Sequence, residues 1–190
     1  MKNVKTLALL LTVVLSSTVA SAQTKGVDVA KSTISWVGKK VTGQHEGSIK
    51  LKDGAFFVKN NKITRGKFTV DMTSIQVNDL KAGEGKEKLE GHLKADDFFG
   101  VEKFPTASIN FKSVTEKSTN VYTVVGDLTI KGITKPVTFD LIVKDKTATA
   151  KLVVDRTKYD IKYGSGSFFD NLGDKVISDN FDLTVSLQLL

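Results

Sequence analysis

The sequence predicts an all-β domain of eight or nine mostly antiparallel strands with one short helical insert. Three observations predict it. Apolar and polar residues alternate along most of the chain, most plainly where Phe181, Leu183, Val185, Leu187 and Leu189 stand against Asp182, Thr184, Ser186 and Gln188. That is the period of a strand with one buried face. Turn-forming groups such as Asn60-Asn61-Lys62 and Lys131-Gly132 separate the alternating runs, as hairpins require. One segment, Lys88 to Phe99, breaks the alternation and places a histidine, two adjacent carboxylates and two phenylalanines in one short excursion. Strands apolar on one face only must pack as a sandwich or close into a barrel.

Taken in order, residues 1–22 read as a secretory leader: Lys2 and Lys5 form a basic start, Leu7 to Leu15 an apolar run, and Ala20-Ser21-Ala22 a small-residue cleavage site. The run is shorter than the roughly 20 residues a membrane span needs. Residues 23–190 are then one domain. Thr33 to Gly38 and His45 to Leu51 read as the first strands, the second with His45, Gly47, Ile49 and Leu51 on one face. Asp53-Gly54 reads as a turn, Ala55 to Lys59 as a strand, and Ile63 to Ile75 as its return with Phe68, Val70 and Met72 facing in.

Gly83 to Lys94 has Leu89 and Leu93 four apart among charged residues, which suits a short helix with one apolar edge. Alternation resumes at Ala107, Ile109 and Phe111 and continues through Tyr122, Val124, Leu128 and Ile130. It carries on in Val137, Phe139, Leu141 and Val143, then in Ala148, Ala150, Leu152 and Val154. Arg156 to Ser178 is irregular and reads as a long connection at one rim, with Tyr159, Tyr163, Phe168 and Phe169 as exposed aromatic candidates.

Composition narrows the function. Cysteine is absent, which excludes disulfides, thiolate metal sites and thiol nucleophiles. The formal net charge is +7; two of those charges leave with the leader, so the domain carries +5. Its lysines are spread over alternate strand positions and turns, whereas a nucleic-acid surface needs a concentrated basic stripe with stacking aromatics. Gly164-Ser165-Gly166 lacks the spacing of a nucleophile elbow and reads as a flexible loop.

Several stretches, in this order, resemble one family. They are Ser35-Trp36, Thr42-Gly43-Gln44-His45-Glu46-Gly47 and Phe68-Thr69-Val70-Asp71-Met72-Thr73-Ser74-Ile75. They continue in Lys88-Leu89-Glu90-Gly91-His92-Leu93-Lys94-Ala95-Asp96-Asp97-Phe98-Phe99 with Phe104-Pro105-Thr106-Ala107, and in Gly126-Asp127-Leu128-Thr129-Ile130-Lys131-Gly132-Ile133-Thr134-Lys135-Pro136-Val137. The chain is similar over nearly its whole mature length to the YceI-like, polyisoprenoid-binding periplasmic proteins of bacteria, departing at Phe104, where members often carry Tyr.

The resemblance implies a lipocalin-like, extended antiparallel barrel with an apolar tunnel for an isoprenoid chain, acting as a carrier and not as an enzyme. No cofactor is required; an isoprenoid lipid or quinone is the expected ligand, with transient membrane contact and a homodimer compatible with it. The location expected is periplasmic or secreted. On this reading Phe68, Met72, Phe98, Phe99, Ile109, Phe111, Leu128, Ile130, Phe139 and Leu141 wall the tunnel, and Leu89, Leu93, Phe98 and Phe99 form a lid.

His45 has two readings: a polar hand at the tunnel mouth that donates to a quinone carbonyl or diphosphate oxygen, or a histidine bonded to a strand-end carbonyl. His92 reads first as a helix-end side chain that packs the insert onto the barrel and second as a head-group contact. The two histidines with Asp96 and Asp97 lack metal-site spacing. Adjacent Asp96 and Asp97 read as turn-makers more simply than as a catalytic pair. Two rival functions stand beside the carrier: a filled barrel whose 156–178 rim binds a protein, and a lipid-acting enzyme using His45 or His92.

Overall fold

In a computed structural model, which describes residues 23–190, the chain forms one closed antiparallel barrel. The leader expected over residues 1–22 lies outside the described residues. Strands β1 (Gln23–Lys40), β2 (Gly43–Lys59) and β3 (Lys62–Val77) are followed by helix α1 (Lys86–Lys94). Then come β4 (Thr106–Ser118), β5 (Val121–Ile130), β6 (Ile133–Lys144), β7 (Thr147–Asp155) and β8 (Ile177–Leu189). Each strand pairs with the next, and β8 returns to pair with β1 through Ile34↔Val185 and Trp36↔Leu183.

The count is eight because Asp53-Gly54 is not a turn. Leu51 faces Val70 and Asp53 faces Thr69, so β2 carries one extra residue there, a bulge inside one continuous strand. The bulge shifts parity: Ile49 and Leu51 point inward before it, Gly54, Phe56 and Val58 after it. Gly54 is required at this point because a Cβ would stand 2.2 Å from Cδ1 of Phe68, whose ring lies on the β2 backbone. Aspartate-glycine is an equally good signal for a hairpin, which is why local sequence misreads it. Asn60 and Asn61, both at positive φ (52° and 60°), do make a two-residue turn between Lys59 and Lys62.

The two ends of the barrel differ. One end holds the tight turns at residues 60–61, 119–120 and 145–146, and the first residues of β1. The other holds the turns at 41–42 and 131–132 and both long excursions, α1 with its flanks and the 156–176 connection. Two cores correspond to these ends. The tight-turn core joins Phe56, Phe68, Phe111, Tyr122, Val124, Phe139 and Leu141, and the long-connection core joins Met72, Ile75, Val77, Leu93, Phe98, Leu128, Ile130 and Tyr159.

At the second end, pairing between β6 and β7 stops at Leu141↔Ala150. A 3-10 turn, Arg156–Tyr159, follows β7 there, and Tyr159 lines the recess between the diverging strands with Val137 and Leu152. Tyr159 is therefore not an exposed rim aromatic; it is 1% exposed. Burial, with a smaller push from nearby Asp155, raises its hydroxyl pKa to about 12.

Candidate functional site

A cavity of about 200 Å³ lies between the two cores. Its wall is hydrocarbon almost throughout. An apolar cavity of ~150 Å³ stays dry and admits a benzene-sized molecule, so this one suits a short run of hydrocarbon chain and does not hold water well. It reaches the rim at the long-connection end, where it is bordered by Gly38, Phe99 and Phe181. Gly38 stands three residues before exposed Val41 and has open space where a side chain would project.

All ten apolar residues expected on the wall line it: Phe68, Met72, Ile109, Phe111, Leu128, Ile130, Phe139 and Leu141 from strands, Phe98 and Phe99 from the insert. The wall also includes Ile34, Trp36, Ile49, Leu51 and Val70, and the β8 row Phe181, Leu183, Val185 and Leu187. The β8 row is the most regular alternation in the chain. Closing the barrel brings it beside β1, and that adjacency was the missing link between its parity and the cavity.

His45 is not on this wall. It stands near the start of β2, where Asp79, just beyond the end of β3, holds Nδ1 at 2.8 Å through Oδ2 and accepts the Glu46 N–H at 3.0 Å through Oδ1. The His45 partner is thus a carboxylate, not the strand-end carbonyl of the second sequence reading, and its ring stands off the cavity wall. Burial pushes the Asp79 carboxyl up, but the bonds from His45 and Glu46 outweigh it and hold its pKa below the usual carboxylate range.

The insert covers the cavity through a set of fixed anchors. The Val77 N–H donates to Glu90 Oε1 at 2.9 Å, tying α1 to the end of β3. Leu93 is buried on the cavity side of α1. After the helix, Gly100 takes a left-handed conformation (φ 57°) and donates to the Ala95 carbonyl at 2.8 Å, while the Phe99 N–H donates to the Leu93 carbonyl. This tight reversal, of the kind that ends helices, turns Phe98 and Phe99 inward. Asp96 pairs with Lys103, and its carbonyl accepts Lys131 Nζ at 2.7 Å, which fixes the insert to the β5–β6 turn.

His92 packs edge-on against Phe98 and Tyr163, with ring centroids at 5.6 and 4.3 Å, and its Nε2 lies 3.5 Å from Asp97 Oδ2. It packs the insert against the second excursion, not onto a barrel strand as expected, while Asp96 and Asp97 serve separate partners. Among the described residues no group of three or more His, Asp or Glu is placed to hold a metal ion.

The second excursion is organised by Arg156, 2% exposed. Its Nη1 donates to the Ile161 carbonyl at 2.8 Å, Nε to Ser178 at 2.9 Å and Nη2 to Ile177 at 3.0 Å. The guanidinium stacks over Phe98, 5.7 Å from the ring centroid, and lies 3.8 Å from Asp179 Oδ1, an ion pair too long to be a hydrogen bond. Burial lowers the Arg156 pKa against the opposing charges of Asp179 and Asp155. Val41, Tyr163, Phe168 and Phe169 remain exposed around this rim.

Residues 26–189 match the model of the YceI-like domain. The chain belongs to the YceI-like family. Among solved structures, BcnA of Burkholderia cenocepacia superposes with a TM-score of 0.68 at 23% identity, over 86% of this chain and 99% of that one. A polyisoprenoid binding domain from Saccharophagus degradans, implicated in plant cell wall breakdown, gives 0.59 at 14% identity, over 87% and 97%. At these identities the likeness shows the fold. A UPF0312 protein of Shewanella denitrificans is 36% identical over 45% of this YceI-like chain and 42% of its own length. One from Staphylococcus aureus is 51% identical over 29% of each chain. The matched stretches span less than half the length of these relatives.

Proposed function

We propose that this YceI-like barrel binds an isoprenoid lipid, a polyprenyl chain or an isoprenoid quinone, and carries or buffers it without altering it chemically. The observation that carries the reading is the apolar cavity between two packed cores. Burying hydrocarbon there gains about 0.8 kcal/mol per methylene, so one five-carbon unit contributes several kcal/mol before the entropy of ordering is subtracted. The Saccharophagus degradans domain of the same fold is described as polyisoprenoid binding, which supports the class of ligand.

A chain longer than the cavity leaves at the rim beside Phe99 and Phe181. The exposed Val41, Tyr163, Phe168 and Phe169 there suit brief contact with a membrane during loading. The leader read in residues 1–22 supports a reading in which this exchange takes place in the periplasm or outside the cell.

Phe139→Asp tests the reading. It sets an unpaired carboxylate in an apolar cavity, which strongly opposes occupation by hydrocarbon. Uptake of a fluorescent isoprenoid should be abolished while circular dichroism retains the β-sheet signal. Unchanged uptake by a folded variant would mean that this cavity is not where the lipid binds.

A further inference from the structure

The barrel wall is incomplete on one side. Pairing between β6 and β7 ends at Leu141↔Ala150, so the facing edges of residues 133–140 and 151–155 have no partner across the gap. Pro136 suits such an edge, because proline cannot donate to a ladder. A recess of about 260 Å³ lies there on the barrel surface. Leu152 lines both this recess and the apolar cavity, so one side chain is a wall common to the two spaces. On the inward row of β7, Ala148, Ala150 and Val154 are buried, whereas Leu152 is only half-buried.

The two spaces differ in chemistry. The cavity wall is hydrocarbon and offers almost no polar surface to a head group. The recess is mostly polar, and Lys135, Thr138, Lys158 and Asn180 line it. Lys135 makes no ion pair among the described residues. Lys158 comes no nearer than 3.8 Å to Asp155 Oδ2. Asp155 is the one carboxylate on the lining, and its Oδ1 already accepts the Thr157 N–H at 3.0 Å and the Thr157 hydroxyl at 2.6 Å. Backbone N–H groups on the open edges add donors that the ladder leaves without a partner. Two ammonium groups, an amide, a hydroxyl and sheet-edge N–H groups around a single engaged carboxylate favour an oxyanion.

Resting on the isoprenoid reading above, we propose that the recess between β6 and β7 is a head-group site, and that it takes an isoprenoid carrying a phosphate or diphosphate ester. The oxyanion sits between Lys135 and Lys158. The chain enters the cavity beside Leu152, and a tail longer than the cavity leaves at the rim by Phe99 and Phe181.

The experiment titrates farnesyl phosphate, farnesol and inorganic phosphate into isotope-labelled wild type and into a variant carrying both Lys135→Gln and Lys158→Gln. Both lysines are exposed, so the variant keeps the fold. Farnesyl phosphate should bind the variant about tenfold more weakly at low salt, in line with the loss of charge-assisted contacts to the phosphate, while farnesol binds both proteins equally. In wild type, farnesyl phosphate should move the amide resonances of Thr138 and Val153. Inorganic phosphate should move them only at far higher concentration, because it has no chain to bury.

Three results would overturn the proposal and leave isoprenoid binding standing. One is farnesol binding wild type as tightly as farnesyl phosphate, or the two ligands responding alike to the double substitution. Another is phosphate-dependent shifts at Val41 and Phe181 with the recess amides unmoved, which would put the head at the rim. The third is inorganic phosphate binding as tightly as farnesyl phosphate, which would make the recess an anion site unconnected with the cavity. Failure of wild type to take up either farnesyl ligand would overturn the isoprenoid reading itself, and this one with it.

Discussion

At the tight-turn end, Phe56 meets Phe68 edge-on with centroids at 4.8 Å, Phe68 meets Phe111 at 5.7 Å, and Phe111 meets Phe139 at 5.7 Å. At the long-connection end, Leu93, Phe98, Phe99 and Phe181 are as apolar, yet the cavity reaches the rim there. The difference lies in what fixes the rings. In the first cluster they lie on the strands themselves, with Gly54 and Gly66 leaving the space they fill. At the second, Leu93, Phe98 and Phe99 come from an excursion whose place is set by polar anchors at Glu90 and Asp96 and by the Arg156 guanidinium over Phe98. Strand-borne rings make a plug, whereas excursion-borne rings make a lid over a hollow.

Phe56→Ala is the most damaging way to break this contrast. Phe56 is 1% exposed and belongs to the plug, and truncating a buried phenylalanine costs about 3 to 5 kcal/mol. Urea unfolding should show a loss of that size for the whole barrel in one transition. A loss under ~1 kcal/mol would mean the plug is loosely packed and the two ends are alike.

Arg156→Met acts at the other end. It leaves the carbonyls of Ile161, Ile177 and Ser178 without their donor, at a cost of about 3 kcal/mol. The damage should be local. Amide exchange should lose protection across residues 156–178 and at Phe98 and Phe99, while β2 to β5 keep theirs. Loss of protection throughout the barrel would show that plug and lid are one cooperative unit.

Asp79→Asn sharpens the contrast with the smallest effect, under ~1 kcal/mol, because the His45–Asp79 pair is partly solvated. The folded carboxyl is more acidic than the unfolded one. Its contribution is therefore complete above the ordinary carboxylate pKa and is lost as pH falls through the folded value. The variant should therefore lose that contribution at neutral pH, with the difference from wild type vanishing as pH falls below about pH 4, and a difference confined to acid pH would contradict the assignment.

Much of the wall is legible in the sequence, because alternate residues of a strand share a face: Phe68, Val70 and Met72, or Phe139 and Leu141, need no further information. Three features were not. Parity assigned His45 to the inside, but the side chain that captures it comes from 34 residues further along. Tyr159 sits in an irregular stretch, and its burial follows from the divergence of β6 from β7, a property of the closed barrel. The hollow itself was invisible, since parity gives the direction of a side chain and not the volume its neighbours leave.

Extraction of the purified wild-type protein bears most directly on the claim that the hollow holds a lipid. The protein is isolated under mild conditions from a bacterial host, extracted with organic solvent, and the extract is analysed by mass spectrometry. The account predicts an isoprenoid species, a quinone or polyprenyl lipid, recovered in proportion to the barrel. Repeated preparations that yield an empty barrel would contradict it.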